Sequence, residues 1–343
     1  MPLNVPNNAT LAAELPKRLF LTGGSGYVGR NLIRHFTRIG VEIVALVRND
    51  LGAITVERLG ARPVRSELLS GSLLSSMQGC DTLIHAAADT THGFGNAQQA
   101  QINVEGTRRV LETARAAGVR RAVHISTDSV LIAGKPLIGV EEDSPFPKKP
   151  AGSYSRTKGE AERVACSLAT KDFAVLIVRP RFVWGRDDTT ALPQLVGAVS
   201  SGKFAWIGEG KYFTSTTHIA NLCEGVERAL ERGSSRQAYF ITDSEPVQFR
   251  EFVTALLETQ GLTAPTKNIP RSLVRTMAML GDSLYKITRG KITPPVSLQD
   301  FATMGVEVTL STVKARNELG YVPVITREAG LSELRRNAYA EAL

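Results

Sequence analysis

The segment Thr22-Gly23-Gly24-Ser25-Gly26-Tyr27-Val28-Gly29 stands between an apolar strand pattern, Arg18–Thr22, and a helix pattern with Val28, Leu32, Ile33, Phe36 and Ile39 on one face. A glycine turn there admits positive φ, which other residues resist. Gly26 is expected to let the backbone approach a pyrophosphate, which the positive end of the helix favours. Gly29 is expected to let helix and strand pack closely. Gly23, Ser25, Gly26, Tyr27, Val28 and Gly29 are therefore candidate dinucleotide contacts. Glycine spacing alone is weak evidence; the strand before it and the helix after it give it force.

The rest of the first half repeats this alternation. Val41–Val47, Arg62–Val64, Thr82–Ala86, Ala122–Ser126 and Phe173–Val178 read as strands, and Asn103–Ala117 and Gly152–Thr170 read as helices. Short apolar strands alternating with helices predict a parallel sheet covered on both faces. The expected fold class is α/β, a doubly wound parallel Rossmann sheet with a smaller C-terminal substrate lobe. Residues 1–16 read as a loose N-terminal arm and 17–180 as the dinucleotide-binding domain. Residues 181–343 read mainly as the substrate lobe, with some strands and helices returning to the sheet. A chain of 343 residues buries a large core without staples. Cys80, Cys166 and Cys223 lie far apart with no CxxC spacing, so neither disulfides nor a metal site is expected. No apolar run is long enough to span a bilayer and no signal-peptide pattern is present, so the expected location is cytoplasmic.

The net charge of +8 permits an acidic partner: nucleic acid, an anionic surface or a phosphorylated cofactor. The basic residues are dispersed without interleaved aromatics, so nucleic acid is not expected. One of them has a specific place. Arg48 follows the second strand, where NAD-binding versions of this fold carry an acid for the ribose 2′-hydroxyl. A guanidinium instead suits a 2′-phosphate through paired hydrogen bonds. NADP(H) is the preferred cofactor, and nearby Asp50 keeps NAD(H) open.

Tyr154 and Lys158 stand four residues apart, on one face of a helix near its start. A free tyrosine, with a pKa of about 10, is a poor base at neutral pH. A nearby ammonium favours the phenolate, which lets the pair exchange a proton at a carbinol or carbonyl. Thr127 and Ser126, at the end of the fifth strand, are the candidate hydroxyls for orienting that oxygen. Ligands bind at such strand ends.

At these residues the chain resembles the extended short-chain dehydrogenase/reductase superfamily. The matching segments are TGGSGYVG at 22–29, DTLIHAAA at 81–88, NVEGTRRVLETA at 103–114, HISTDSV at 124–130, YSRTK at 154–158 and VRPRFVWG at 178–185. STTHIANL, AYFITDSEPVQFREF and KARNELGY extend the resemblance over nearly the whole chain from Lys17. It implies that Tyr154 is the catalytic acid/base, that Lys158 binds the nicotinamide ribose and lowers the tyrosine pKa, and that Thr127 hydrogen-bonds the reacting oxygen. It places Glu67 and Leu68 near the adenine, with Glu67 a departure from the usual aspartate. Ala86 and Ala87 fall along the pyrophosphate and ribose, and Pro180 and Val183 near the nicotinamide. Asn103 looks like the family asparagine ahead of the fifth strand. The helices at 103–117 and 152–170 imply a homodimer face.

Within the superfamily, Phe182 stands where nucleotide-sugar enzymes usually carry an asparagine. Phe182 and Trp184 favour a flat or apolar substrate. The pattern looks more like the 3β-hydroxysteroid dehydrogenase and dihydroflavonol reductase branches, which implies hydride exchange between NADP(H) and a ketone or secondary alcohol. Arg181, with Arg179 and Arg186, is a candidate for a substrate carboxylate, as in a 3-oxo acid. Residues 272–285 read as a lid helix over the pocket rather than a membrane-interface helix, so membrane contact is not expected. The alternatives are an NAD-dependent nucleotide-sugar epimerase or dehydratase and a non-catalytic nucleotide-binding subunit.

Overall fold

A computed structural model describes residues 15–341 apart from 70, 71 and 96. Most of the expected arm, residues 1–14, lies outside the described residues. The central element is a seven-stranded sheet. Its strands are β1 (Arg18–Thr22), β2 (Glu42–Val47), β3 (Arg62–Arg65), β4 (Thr82–His85), β5 (Arg121–Ile125), β6 (Ala174–Pro180) and β7 (Ala238–Ile241). The spatial order is β7-β6-β5-β4-β1-β2-β3, and every pairing is parallel. The order reverses between β1 and β4, which opens a crevice at the carboxyl ends of these strands.

Side-chain alternation explains the nearly unbroken apolar runs. Leu19 and Leu21 of β1 enter one core, shared with Leu32, Ile33 and Phe36 of helix α1 (Tyr27–Arg38). Phe20 enters the opposite core, under Val110, Leu111 and Ala114. Those residues belong to the expected 103–117 helix, which divides into a wide π turn, Gln101–Glu105, and an α-helix, α2 (Gly106–Ala116). The expected 152–170 helix is α3 (Ser153–Leu168). Helix α4 (Ile219–Arg232) begins directly after Thr217–His218, which pairs in parallel with Val183–Trp184.

The smaller lobe is assembled from separated pieces. Its four-stranded sheet joins Leu137–Val140 to Phe213–Thr214, Val247–Gln248 and Val308–Leu310. Its aromatic core holds Trp184, Trp206, Tyr212, Phe249 and Phe252. This corrects the expectation that Trp184 walls the substrate pocket. Trp184 is 1% exposed, and its Nε1 donates to Asp243 at 2.8 Å. Asp243, just past β7, also accepts from Thr216 Oγ1, the His218 backbone and Asn221 Nδ2, each at 2.7 Å. An indole buried with its N–H satisfied serves packing, and here it clamps the lobe to the sheet.

Helix α5 (Arg271–Ile287) contains the expected lid segment. It buries Val274, Ala278 and Gly281 and exposes Leu273, Met277, Leu280, Leu284 and Ile287. Among the described residues no helix is long and apolar enough to cross a membrane.

The tightest local constraint is at Gly29, where a Cβ would lie 2.1 Å from the Gly23 carbonyl oxygen. Gly29→Ala therefore forces backbone apart, and overpacking of this kind costs about 1–3 kcal/mol or more. Denaturant unfolding is expected to show a lower midpoint with an unchanged slope.

Candidate active site

The nucleotide end of the crevice begins at the glycine turn. Gly23 has φ +74°, and a Cβ there would meet the Ala87 nitrogen at 2.8 Å, so the turn lies directly on the end of β4. Helix α1 then starts with no side-chain cap and no acidic residue in its first turn. Its free N–H groups and positive dipole end suit a pyrophosphate. Asn31 Nδ2 donates to the Arg186 carbonyl at 3.2 Å and Arg30 to the Asp187 carbonyl at 3.0 Å, which draws the segment after β6 across this turn. Pro180 ends β6, and Val183 packs beside it against the first core. The residues present fit a dinucleotide.

Arg48 is exposed at the end of β2 and forms no ion pair among the described residues. Arg65, paired with Val47 across the strands, ends β3 beside it. Arg65 holds Asp50 at 2.8 Å. That pair is solvent-exposed and so weak, and Arg65 is a second guanidinium at this corner. Only the strand register brings it there. Glu67 is exposed beyond β3, while Leu68 leans on α2, where a Cβ at Gly106 would lie 2.6 Å from its Cδ2.

The reaction centre forms where β5 ends and α3 begins. Lys158 is 2% exposed, and its ammonium donates to the Ile125 carbonyl at 2.7 Å. His124 Nε2 lies 3.4 Å from the same nitrogen. Burial lowers the lysine pKa to about 8, against the raising effect of Glu162. Tyr154, one turn earlier, is 8% exposed. Burial raises its pKa, a hydrogen bond with Thr127 opposes that, and the charge of Asp128 adds to the rise. Burial thus favours the neutral phenol, the opposite direction to the depression expected from the lysine.

The two hydroxyls at the end of β5 point to different partners. Thr127 Oγ1 faces Tyr154 and opposes the rise in its pKa, while it donates to Asp128 Oδ1 at 3.2 Å and accepts from the Ser129 backbone at 3.1 Å. Ser126 donates to Glu162, two turns beyond Tyr154 on α3. A buried polar chain supports this corner. The Ala87 backbone donates to Thr22 Oγ1 at 3.2 Å, and Thr22 lies 2.7 Å from His85 Nδ1. His85 Nε2 meets Thr107 Oγ1 at 3.0 Å, and Thr107 donates to the Asn103 carbonyl at 2.6 Å. Asn103 Nδ2 donates to Thr157 Oγ1 at 3.1 Å, and Thr157 donates to the Tyr154 carbonyl at 3.2 Å. Because Thr107 gives its proton to Asn103, His85 carries hydrogen on Nε2 and accepts at Nδ1. Burial and the Lys158 charge lower its pKa to about 3, so it stays neutral.

The arginines near the site are placed differently from the expectation. Arg181 is 4% exposed and pairs with Asp128 at 2.5 Å. Its other donors reach Thr214 Oγ1 at 3.0 Å and the Thr303 carbonyl at 3.2 Å. Arg179 pairs with Glu162 at 2.7 Å and donates to the Glu142 carbonyl at 3.1 Å. Neither guanidinium is available to a substrate carboxylate, because each already has its own buried acid. Arg186 is exposed near the glycine turn. Phe182 is half-buried with φ +41°, and its ring edge meets Phe252 at 5.5 Å. A phenylalanine with positive φ is uncommon and marks a bend held by its surroundings.

A cleft of about 350 Å³ opens beside the tyrosine. His92 lies on its wall, with its ring 4.8 Å from that of Tyr154. Phe94 stacks on Tyr285 of α5 at 4.3 Å across the same cleft, and Asp300 completes the lining. The sequence reading names neither His92 nor Phe94 nor Asp300. The loop that carries the first two has no periodic pattern to announce its position.

Residues 19–241 match the model of the NAD dependent epimerase/dehydratase family. The 4-hydroxy-2-methyl-3-oxo-4-farnesyl-3,4-dihydroquinoline-1-oxide ketoreductase of Stigmatella aurantiaca is 44% identical over 93% of this chain and 96% of its own length. The decarboxylating sterol-4-alpha-carboxylate 3-dehydrogenase of Dictyostelium discoideum is 27% identical over 93% of this chain and all of its own length, 100%. The crystal structure of gox2253 superposes with a TM-score of 0.76 at 25% identity, covering 94% of this chain and 98% of that one. With a family match across more than half its length and the strand order, glycine turn and tyrosine–lysine pair in place, the chain belongs to the NAD dependent epimerase/dehydratase family, among the extended short-chain dehydrogenase/reductases.

Proposed function

We propose that the protein is an NADP(H)-dependent oxidoreductase that interconverts a ketone and a secondary alcohol on an apolar substrate. The observation that carries this reading is the meeting of Tyr154, Thr127 and Lys158 at one strand end, beside a cleft walled by His92, Phe94 and Tyr285. The 44% identity to a ketoreductase of an apolar, farnesylated ketone supports it over nucleotide-sugar chemistry.

Bound cofactor supplies or accepts the hydride. The chain does the rest. The glycine turn and the start of α1 receive the pyrophosphate, and Lys158 faces the ribose while anchored on Ile125. Arg48, with Arg65 beside it, offers guanidinium to a 2′-phosphate. Thr127 and Tyr154 hold the carbonyl oxygen between two hydroxyls. In the reducing direction Tyr154 gives its proton to the developing alkoxide, and a buried, neutral phenol starts in the required state.

Tyr154→Phe is expected to bind NADPH normally and to lose roughly 10²–10⁴ in kcat, the usual worth of a positioned proton donor. Fluorescence titration and steady-state rates with steroid, flavonoid and long-chain ketones separate the two effects. NADPH is expected to bind more tightly than NADH, and Arg48→Ala is expected to remove roughly tenfold or more of that advantage, as loss of a charge-assisted contact does. Equal affinities in the unmodified protein would defeat the NADP assignment.

The pH dependence follows from Lys158. Its pKa is lowered to about 8, so the free protein loses this positive charge as pH rises through that value. Reduction needs the charged lysine and the protonated tyrosine. The pH profile of kcat/KM is therefore expected to fall on its basic side near pH 8.

A further inference from the structure

We infer that the site selects neutral ketones and rejects substrates with a carboxylate beside the reacting carbonyl. This rests on the ketoreductase reading and narrows its substrate class. A 3-oxo acid brings a negative charge within a few bonds of the oxygen that meets Tyr154. It needs a cation there, or at least no uncompensated anion.

The charges around the centre fail that requirement. Arg181 approaches it from the segment after β6, but Asp128 neutralises it at 2.5 Å, and its Nε and Nη2 donate to Thr214 and Thr303. Both side chains of the pair are 4% exposed, so water does little to separate them. Arg179 is neutralised in the same way by Glu162. Lys158 hangs under the Ile125 carbonyl, where the ribose reading places its charge against the cofactor. The cleft itself is lined by His92, Phe94, Tyr285 and the carboxylate of Asp300. Asp300 accepts from Ser297 in a capping box that keeps it in place. Above the ordinary histidine range His92 adds no charge. Among the described residues that line the cleft, the fixed charge is then the negative one of Asp300, and the Phe94–Tyr285 stack offers an apolar, flat surface. The relative from Dictyostelium discoideum is named for a sterol carboxylate, so this narrowing is not shared by everything similar to the chain.

The test is a matched pair at pH 7.5 with NADPH: a freshly prepared long-chain 3-oxo acid and its methyl ester. The ester is expected to show kcat/KM at least tenfold above the acid. Equal values, or preference for the acid, overturn the inference while leaving the ketoreductase reading intact. No turnover of the acid, the ester or any neutral ketone defeats the ketoreductase reading and the inference with it. Asp128→Asn uncovers the Arg181 charge and is expected to reduce the ester preference several-fold. Asp300→Asn should move the ratio the same way. The double change Asp128→Asn with Arg181→Met removes both partners, avoids a lone buried charge and is expected to keep the original preference. A ratio unmoved by both single changes would show that these groups do not set it.

Discussion

The bond from the Lys158 ammonium to the Ile125 carbonyl, 2.7 Å long, joins the end of β5 to the second turn of α3. The geometry of the reaction centre depends on it. A parallel strand ends with its last carbonyl unpaired, and a buried ammonium needs acceptors. Each satisfies the other. With the lysine anchored, Tyr154 one turn earlier on the same face is set above the strand end, where Thr127 already waits. The polar chain from Thr22 through His85, Thr107 and Asn103 to Thr157 then ties the same helical turn to the glycine loop. Nucleotide end and reacting end are thereby held in one frame.

Two buried ion pairs carry the floor of this frame. Arg179–Glu162 joins β6 to α3, and Arg181–Asp128 joins the segment after β6 to the turn after β5. Such pairs add little net stability over apolar replacements, yet loss of one partner costs about 3–5 kcal/mol because a lone charge stays buried. Their effect here is electrostatic as much as mechanical. They cancel the positive charge that the basic sequence around residue 180 brings to the centre. The net +8 of the chain therefore says little about the charge that a substrate meets.

Much of this was legible one segment at a time. The glycine turn was readable because strand, turn and helix are contiguous. The Tyr154–Lys158 relation was readable because an α-helix places residues four apart on one face. The place of β7 beside β6 was not readable, because strand neighbours are set by tertiary pairing rather than by local pattern. Legibility failed where a side chain had two plausible destinations. Trp184 reads equally as a pocket wall or a core residue, and the acceptor that decided it, Asp243, is far away in sequence. Arg181 reads as a free cation until Asp128 is found against it.

By itself, then, the sequence determined the parallel sheet, the glycine turn between β1 and α1 and the placing of Tyr154 and Lys158 on one helical face, because these depend on local periodicity and on backbone geometry that glycine adopts readily. Only the tertiary structure decided which charges survive at the centre and what walls the cleft. Phe94 and Tyr285 meet at 4.3 Å from opposite halves of the chain, and Asp128 cancels Arg181 across two strand ends. Burial magnifies electrostatic effects and depends on neighbours from many segments, so no local pattern encodes it.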